Sequence, residues 1–365
     1  MHGQLLLLGV PGTELSSEDA AFYKKIQPGG YVLFGRNVSS PEQIRKLTDD
    51  LRDLSEEPPI ISIDQEGGRV TRTRDIGAQP PSAQELREKG IPGLIAQHGK
   101  LTAEILHLLG INMDLCPVLD ISYDDDAENS LKGRCYGGDA QEVICNAGVF
   151  NRNLRHHKML SCGKHFPSCG LADKDPHHDL PYVDKSIDEM MLSDLLPYHT
   201  LMPELNAVMT CHTHFSAIDS KQPGLPGSLS YNLVTKLLRY QLDFKGVIMT
   251  DDLDMGAILN TYGRGPDVKM AIEAGNDMAM ICHQVETAPI ALEHLKQIST
   301  SNIDDSLKRI AKLKKKIKTP WKYSEKLWKD INDDILQLRV DVLGEEKAHE
   351  VVDYTGETRS PVEDY

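Results

Sequence analysis

The chain has 365 residues, 40% of them hydrophobic, and carries a formal charge of −15 at neutral pH. That length can bury the core of one large α/β barrel or of two ordinary domains. The charge repels nucleic-acid phosphates and anionic membranes, which argues against a nucleic-acid or membrane role, and no apolar run approaches the roughly 20 residues that span a bilayer.

In chain order, the first element is the apolar run within "MHGQLLLLGVPGTE". No basic segment precedes it and no small-residue cleavage site follows, so it reads as a buried strand over residues 4–10 rather than a secretion leader. Similar runs follow at 31–35 ("YVLFG"), 59–64 ("PIISID"), 111–120 ("INMDLCPVLD"), 159–166 ("MLSCGKHF"), 207–215 ("AVMTCHTHF"), 246–253 ("GVIMTDDL") and 277–283 ("DMAMICH"). Longer helical stretches separate them. Continuously apolar strands of this kind are parallel and covered on both faces, and eight such units make a (β/α)8 TIM barrel, a single α/β catalytic domain. A doubly wound sheet would want a GxGxxG or GKS/GKT loop after a strand, and none is present. The barrel is assigned to residues 1–340, with "RIAKLKKKIK" as its closing helix and a solvated basic face. Residues 341–365 read as a polar, acidic C-terminal tail. The seven cysteines lack paired CxxC spacing, and Cys116, Cys162, Cys211 and Cys282 sit inside strand-like runs. Reduced structural thiols and a cytoplasmic location are expected.

In such a barrel the active site lies at the C-terminal ends of the strands. Asp64, Asp120, Lys164, His165, His212, His214, Asp251, Asp252 and His283 all fall there. Asp251 follows an apolar strand that would fix its position, which suits a nucleophile; the competing reading is that Asp251 or Asp252 caps the next helix. Asp64, with Arg69 and Arg72 after a glycine pair, can accept from sugar hydroxyls while an arginine donates in a fixed fork, or the charges can simply pair. Lys164 and His165 offer donors to hydroxyl or carbonyl oxygens. Arg134, in "GRCYGG", reads as a loop cation turned to the pocket. In "KHFPSCGLADKDPHHDLP", Asp175 and His177 form a candidate acid/base pair, with the carboxylate holding the imidazole in one tautomer. His178 and Asp179 offer a second pair, and an exposed polar loop is the alternative. His165, His177, His178, His212, His214 and His283 also raise a metal reading, but the end of the first strand has no paired-histidine motif.

Together, "YVLFGRN", "SIDQEGGRV", "GINMDLCPVLDI", "GRCYGGD", the "KHFP…D-x-H…DLP" segment, "AVMTCH" and "GVIMTDDLDM", followed by "AGNDMAMIC", resemble the single-domain bacterial β-N-acetylglucosaminidases (β-N-acetylhexosaminidases) of glycoside hydrolase family 3, over about residues 4 to 315. The resemblance implies retaining, two-step removal of a terminal β-linked N-acetylglucosamine. It makes Asp251 the nucleophile and His177 the acid/base with Asp175 as its partner, and puts Asp64, Arg72, Arg134, Lys164 and His165 around the sugar. It implies no metal or organic cofactor, and a small glycan as the partner; the oligomeric state stays open. Two departures stand out: "KHFPSCG" carries Ser168 and Cys169 where the family usually has glycine and histidine, and Pro176 replaces the serine of its D-S-H signature. Competing expectations are a catalytically silent sugar-binding barrel, a phosphorylase, and a metal-dependent hydrolase.

Overall fold

The computed structural model describes residues 1–127, 129–171 and 180–350. Eight parallel strands close into a barrel: β1 (Leu6–Gly9), β2 (Gly30–Leu33), β3 (Ile60–Ile63), β4 (Met113–Asp114), β5 (Leu160–Phe166), β6 (Ala207–Thr210), β7 (Val247–Asp252) and β8 (Met278–Ile281). The seam closes at β1, where Leu7 stands opposite Gly30 of β2 and Met280 of β8. Each expected run overlaps one barrel strand. The apolar continuity has a direct cause, because successive residues such as Leu6, Leu7 and Leu8, or Val247, Ile248 and Met249, are all buried, alternately in the barrel and under the helices.

Two runs extend far beyond their strands. Along 111–120, Pro117 has no N–H to give the ladder, so regular pairing ends at Asp114, although Cys162 N still donates to Cys116 O (2.8 Å) and Leu119 N to Lys164 O (2.6 Å). Along 207–215, β6 stops at Thr210, and His214–Phe215 leaves the barrel to pair with Tyr182–Val183 in a separate ribbon.

The helices carry their own start signals. Ser16 and Asp19 form a capping box on Ser17–Ile26, and Ser40 caps Pro41–Leu54, whose Ile44, Leu47, Thr48 and Leu51 recur at helical spacing and are buried. The last helix extends past the boundary drawn at 340. It runs Glu325–Leu343 and is followed by Glu345–Ala348, because Ile331, Ile335, Leu338 and Val342 form one buried stripe against the helix Pro92–Leu108. Asn332 accepts the Ala78 N–H at 2.7 Å, tying this helix to the loop after β3.

The closing basic helix, Thr300–Lys314, also departs from a wholly solvated face. Lys314 is buried, donates to Gln4 Oε1 at 2.6 Å, and desolvation lowers its pKa from 10.5 to about 8. A lysine whose pKa is lower folded than unfolded destabilises the fold while both states are charged, and the penalty fades as pH rises from 8 to 10.5. Lys314→Met is therefore expected to gain about 1–3 kcal/mol at pH 7. Thermal unfolding at pH 7 and pH 10 checks this, and the gain should shrink at the higher pH.

Candidate active site

A glycine turn aims the charged residues that follow β3. The hairpin Gln65–Gly67 with Val70–Thr71 turns through Gly67 (φ +98°) and Gly68 (φ +54°), and a Cβ on Gly67 would stand 2.4 Å from Pro81 O. Asp64, Glu66 and Arg72 thereby face the barrel mouth. Lys164, from β5, lies between the two carboxylates, with its Nζ 2.5 Å from Asp64 Oδ1 and 2.6 Å from Glu66 Oε1. Arg72 Nη2 stands 3.4 Å from Asp64 Oδ2. Arg134 grips Glu66 as a fork, its Nε and Nη2 each 2.7 Å from a carboxylate oxygen. Arg134 lines the pocket as a buried cation already paired with Glu66.

His165 continues the network. Its Nε2 stands 3.4 Å from Arg134 Nη2, a group that only donates, so Nε2 accepts and Nδ1–H donates to Asp120 Oδ2 at 2.7 Å. Asp120 also takes the N–H groups of His165 (3.0 Å) and Cys169 (2.6 Å). Burial alone would raise the carboxylates, but Lys164 and Arg72 outweigh it at Asp64, Arg134 and Lys164 outweigh it at Glu66, and His165 does so at Asp120, so all three lie below the ordinary carboxylate range. Lys164 and Arg134 are correspondingly raised, because the facing carboxylates exceed the cost of desolvation. The group is a charge-balanced lattice, which keeps its donors and acceptors fixed when a polar ligand arrives.

Asp251 closes the opposite wall from β7. Its Oδ1 accepts the Asp252 N–H at 2.8 Å. Neither aspartate caps the helix Gly256–Tyr262, which starts after Met255 without a side-chain cap. Asp252 instead stitches β7 to β8, its Oδ1 accepting from Asp254 N (3.0 Å) and Cys282 N (3.1 Å). Asp64, Arg72, Arg134, Lys164, His165 and Asp251 line one open pocket at the barrel mouth. Asp175 and His177, with His178 and Asp179, lie outside the described residues. Sequence reasoning missed Glu66, although it stands two residues beyond Asp64 in the same motif.

His212 and His214, two of the histidines behind the metal reading, take separate partners. His212 meets Ser228 Oγ (2.7 Å) and Asp252 O (2.9 Å), while His214 meets Leu225 O (2.9 Å). Among the described residues, the group spaced to hold a metal is Asp120, His165 and Cys169, with ligand atoms within 4.8 Å of one another. The carboxylate of Asp120 is already spent on three N–H donors. Contact with the Cys211 thiol, and then burial, raise Cys169 well above the ordinary thiol range, so it sits as a packed thiol. Ser168 anchors its own loop, donating to Asp194 Oδ1 at 2.9 Å.

With this geometry in place, comparison with known proteins decides the family. The model of the glycosyl hydrolase family 3 N-terminal domain matches residues 2–313. The chain belongs to glycosyl hydrolase family 3. A β-hexosaminidase of Photobacterium profundum is 35% identical over 329 residues, covering 88% of this chain and 95% of the relative. The structure of a family 3 β-N-acetylglucosaminidase from Paenibacillus sp. str. FPU-7 superimposes with a TM-score of 0.84 at 30% identity, over 93% of this chain and 68% of that one. A fungal multi-domain family 3 β-N-acetylglucosaminidase gives a TM-score of 0.86 at 29% identity over 93% of this chain; the chain spans 42% of its length. Within family 3, the chain is a single barrel with its charged lattice and Asp251 on facing walls of one mouth. No described helix is long and apolar enough to cross a membrane.

Proposed function

We propose that this family 3 glycoside hydrolase is a retaining exo-β-N-acetylglucosaminidase that removes a terminal β-linked N-acetylglucosamine from a small glycan. The observation that carries the reading is the pocket itself, with an aspartate on one wall and, on the other, the lattice of Lys164, Asp64, Arg72, Arg134, Glu66 and His165. Buried charged groups already fixed by one another bind sugar hydroxyls in one orientation at little reorganisation cost. The β-hexosaminidase names of the relatives support the sugar class.

In this reading Asp251 attacks the anomeric carbon through the oxygen not held by the Asp252 N–H and forms the glycosyl-enzyme. His177, partnered by Asp175, protonates the departing glycosidic oxygen and then takes a proton from the attacking water. An oxocarbenium-like transition state needs both a carboxylate to stabilise and capture it and a donor on the leaving group. A neutral imidazole repels an incoming anion less than a carboxylate does, which makes phosphorolysis the alternative second step. The free cysteines, Cys116 and Cys282 among them, suit a reducing compartment, and we place the enzyme in the cytoplasm on that ground.

The test is turnover of a chromogenic β-N-acetylglucosaminide against the matching β-glucoside and β-N-acetylgalactosaminide. The N-acetylglucosaminide is expected to be strongly preferred. On a substrate with a poor leaving group, His177→Ala should lose about 10²- to 10⁴-fold in rate. An unchanged rate would remove His177 from its role, and no turnover of any of these substrates by wild type would favour a silent sugar-binding barrel. A sugar 1-phosphate formed in phosphate buffer would report the phosphate branch.

A further inference from the structure

His283, just past β8, lines the same pocket and has been given no part in the reaction. Its backbone is pinned, because Asp254 Oδ2 accepts the N–H of His283 (2.7 Å) and of Gln284 (2.9 Å), while Asp254 Oδ1 holds Arg264 at 2.6 Å. Its ring packs on Phe34 with centroids 5.4 Å apart. Nδ1 stands 3.2 Å from Arg36 Nη1. Arg36 is itself immobilised, donating to Val10 O (3.0 Å) and Cys282 O (2.6 Å) with its guanidinium 4.5 Å over the Phe34 ring.

A guanidinium has only donors, so Nδ1 of His283 is the acceptor and the ring proton sits on Nε2. That nitrogen stands 3.4 Å from Asp252 Oδ2. The other Asp252 oxygen is already taken by two N–H groups, and its backbone N–H holds Asp251. An ordered chain therefore runs across the barrel seam, from Arg36 after β2, through His283 after β8, to Asp252 and Asp251 at the end of β7.

We propose that His283 is a positioning residue: locked by Arg36 as the Nε2–H tautomer, it steadies the Asp252 carboxylate and so the end of β7 that presents Asp251. The charged and titratable groups around Asp252 make such a donor useful. Burial first, then the charges of Asp254 and Asp251, raise Asp252 to about 8; Arg36 and the Cys282 thiol are its other near neighbours, His212 Nε2 meets its backbone oxygen at 2.9 Å, and Arg264 is paired with Asp254. A donor aimed at Oδ2 favours the ionised form and so works against burial and the neighbouring carboxylates.

This role rests on Asp251 being the nucleophile, and the test separates the two ideas. In His283→Leu, kcat on the chromogenic N-acetylglucosaminide is expected to fall about 10- to 100-fold with KM within about threefold. The Asp252 carboxyl, followed by ¹³C NMR of aspartate-labelled protein, should titrate about one unit higher than in wild type. His283→Gln, whose amide can both accept from Arg36 and donate to Asp252, should restore most of kcat and the wild-type titration. Thermal unfolding confirms that each variant is folded. A raised KM with unchanged kcat would make His283 a substrate contact, and an unmoved Asp252 titration would show that the two residues are uncoupled; either result overturns the proposal. If wild type cleaves no glycoside, the functional reading fails, while the carboxyl titration still decides whether His283 governs Asp252.

Discussion

Asp251→Ala is expected to lower kcat on a chromogenic β-N-acetylglucosaminide by about 10⁴-fold or more, the scale on which removing a covalent nucleophile acts. The physical case rests on placement. Asp251 ends a strand buried on both faces, one of its oxygens is held by the Asp252 N–H at 2.8 Å, and it faces the cationic lattice across the pocket. The alanine leaves a gap the size of a small anion beside the anomeric carbon. Azide added to the variant should therefore restore part of the turnover and yield a glycosyl azide of α configuration, which a purely electrostatic carboxylate would not produce. Binding should survive, since Asp64, Arg72, Arg134, Lys164 and His165 are untouched, and KM is expected to stay within about tenfold of wild type. A variant that keeps more than a tenth of wild-type kcat would dismiss Asp251 as nucleophile.

Much of this arrangement was legible because barrel strands and site residues obey the same rule. A parallel strand covered on both faces reads as an unbroken apolar run, and the charged residues at its C-terminal end point into the mouth. That logic reached Asp64, Lys164, His165 and Asp251. It could not reveal who pairs with whom, because Glu66 and Arg134 meet across 68 positions and nothing in either local segment specifies the other. It also left Asp252 open as a helix cap, because an aspartate after a strand looks the same whether it caps a helix or accepts from the neighbouring strand's Cys282 N–H. The helix end at Leu343 was hidden for a similar reason: the charged letters of 325–343 obscure the four aliphatic residues, at spacings of four and three, that dock the helix.

Glu66→Gln tests the lattice rather than the nucleophile. Glu66 is 4% exposed and lies between Arg134, which grips both its oxygens, and Lys164. The amide keeps the shape but removes the charge, leaving two buried cations close together with Asp64 and Asp120 as the remaining nearby carboxylates. Breaking a buried ion pair from one side costs about 3–5 kcal/mol, and that loss is expected at pH 7. The pH dependence gives a second readout. Glu66 is depressed below its ordinary value of 4.5, so its contribution to stability is present above pH 4.5 and is lost as pH falls toward the folded pKa. The difference between wild type and variant should accordingly narrow when urea unfolding is repeated at pH 3. Asp64, depressed in the same sense, keeps its own acid dependence in both proteins. Activity should suffer at the binding stage, because Arg134 loses the fork that aims it and its contact with His165 Nε2 is loosened. KM is expected to rise about tenfold or more. A variant within about 1 kcal/mol of wild type at both pH values, with KM unchanged, would mean that Arg134 and Lys164 are held by other groups and that Glu66 only fills space.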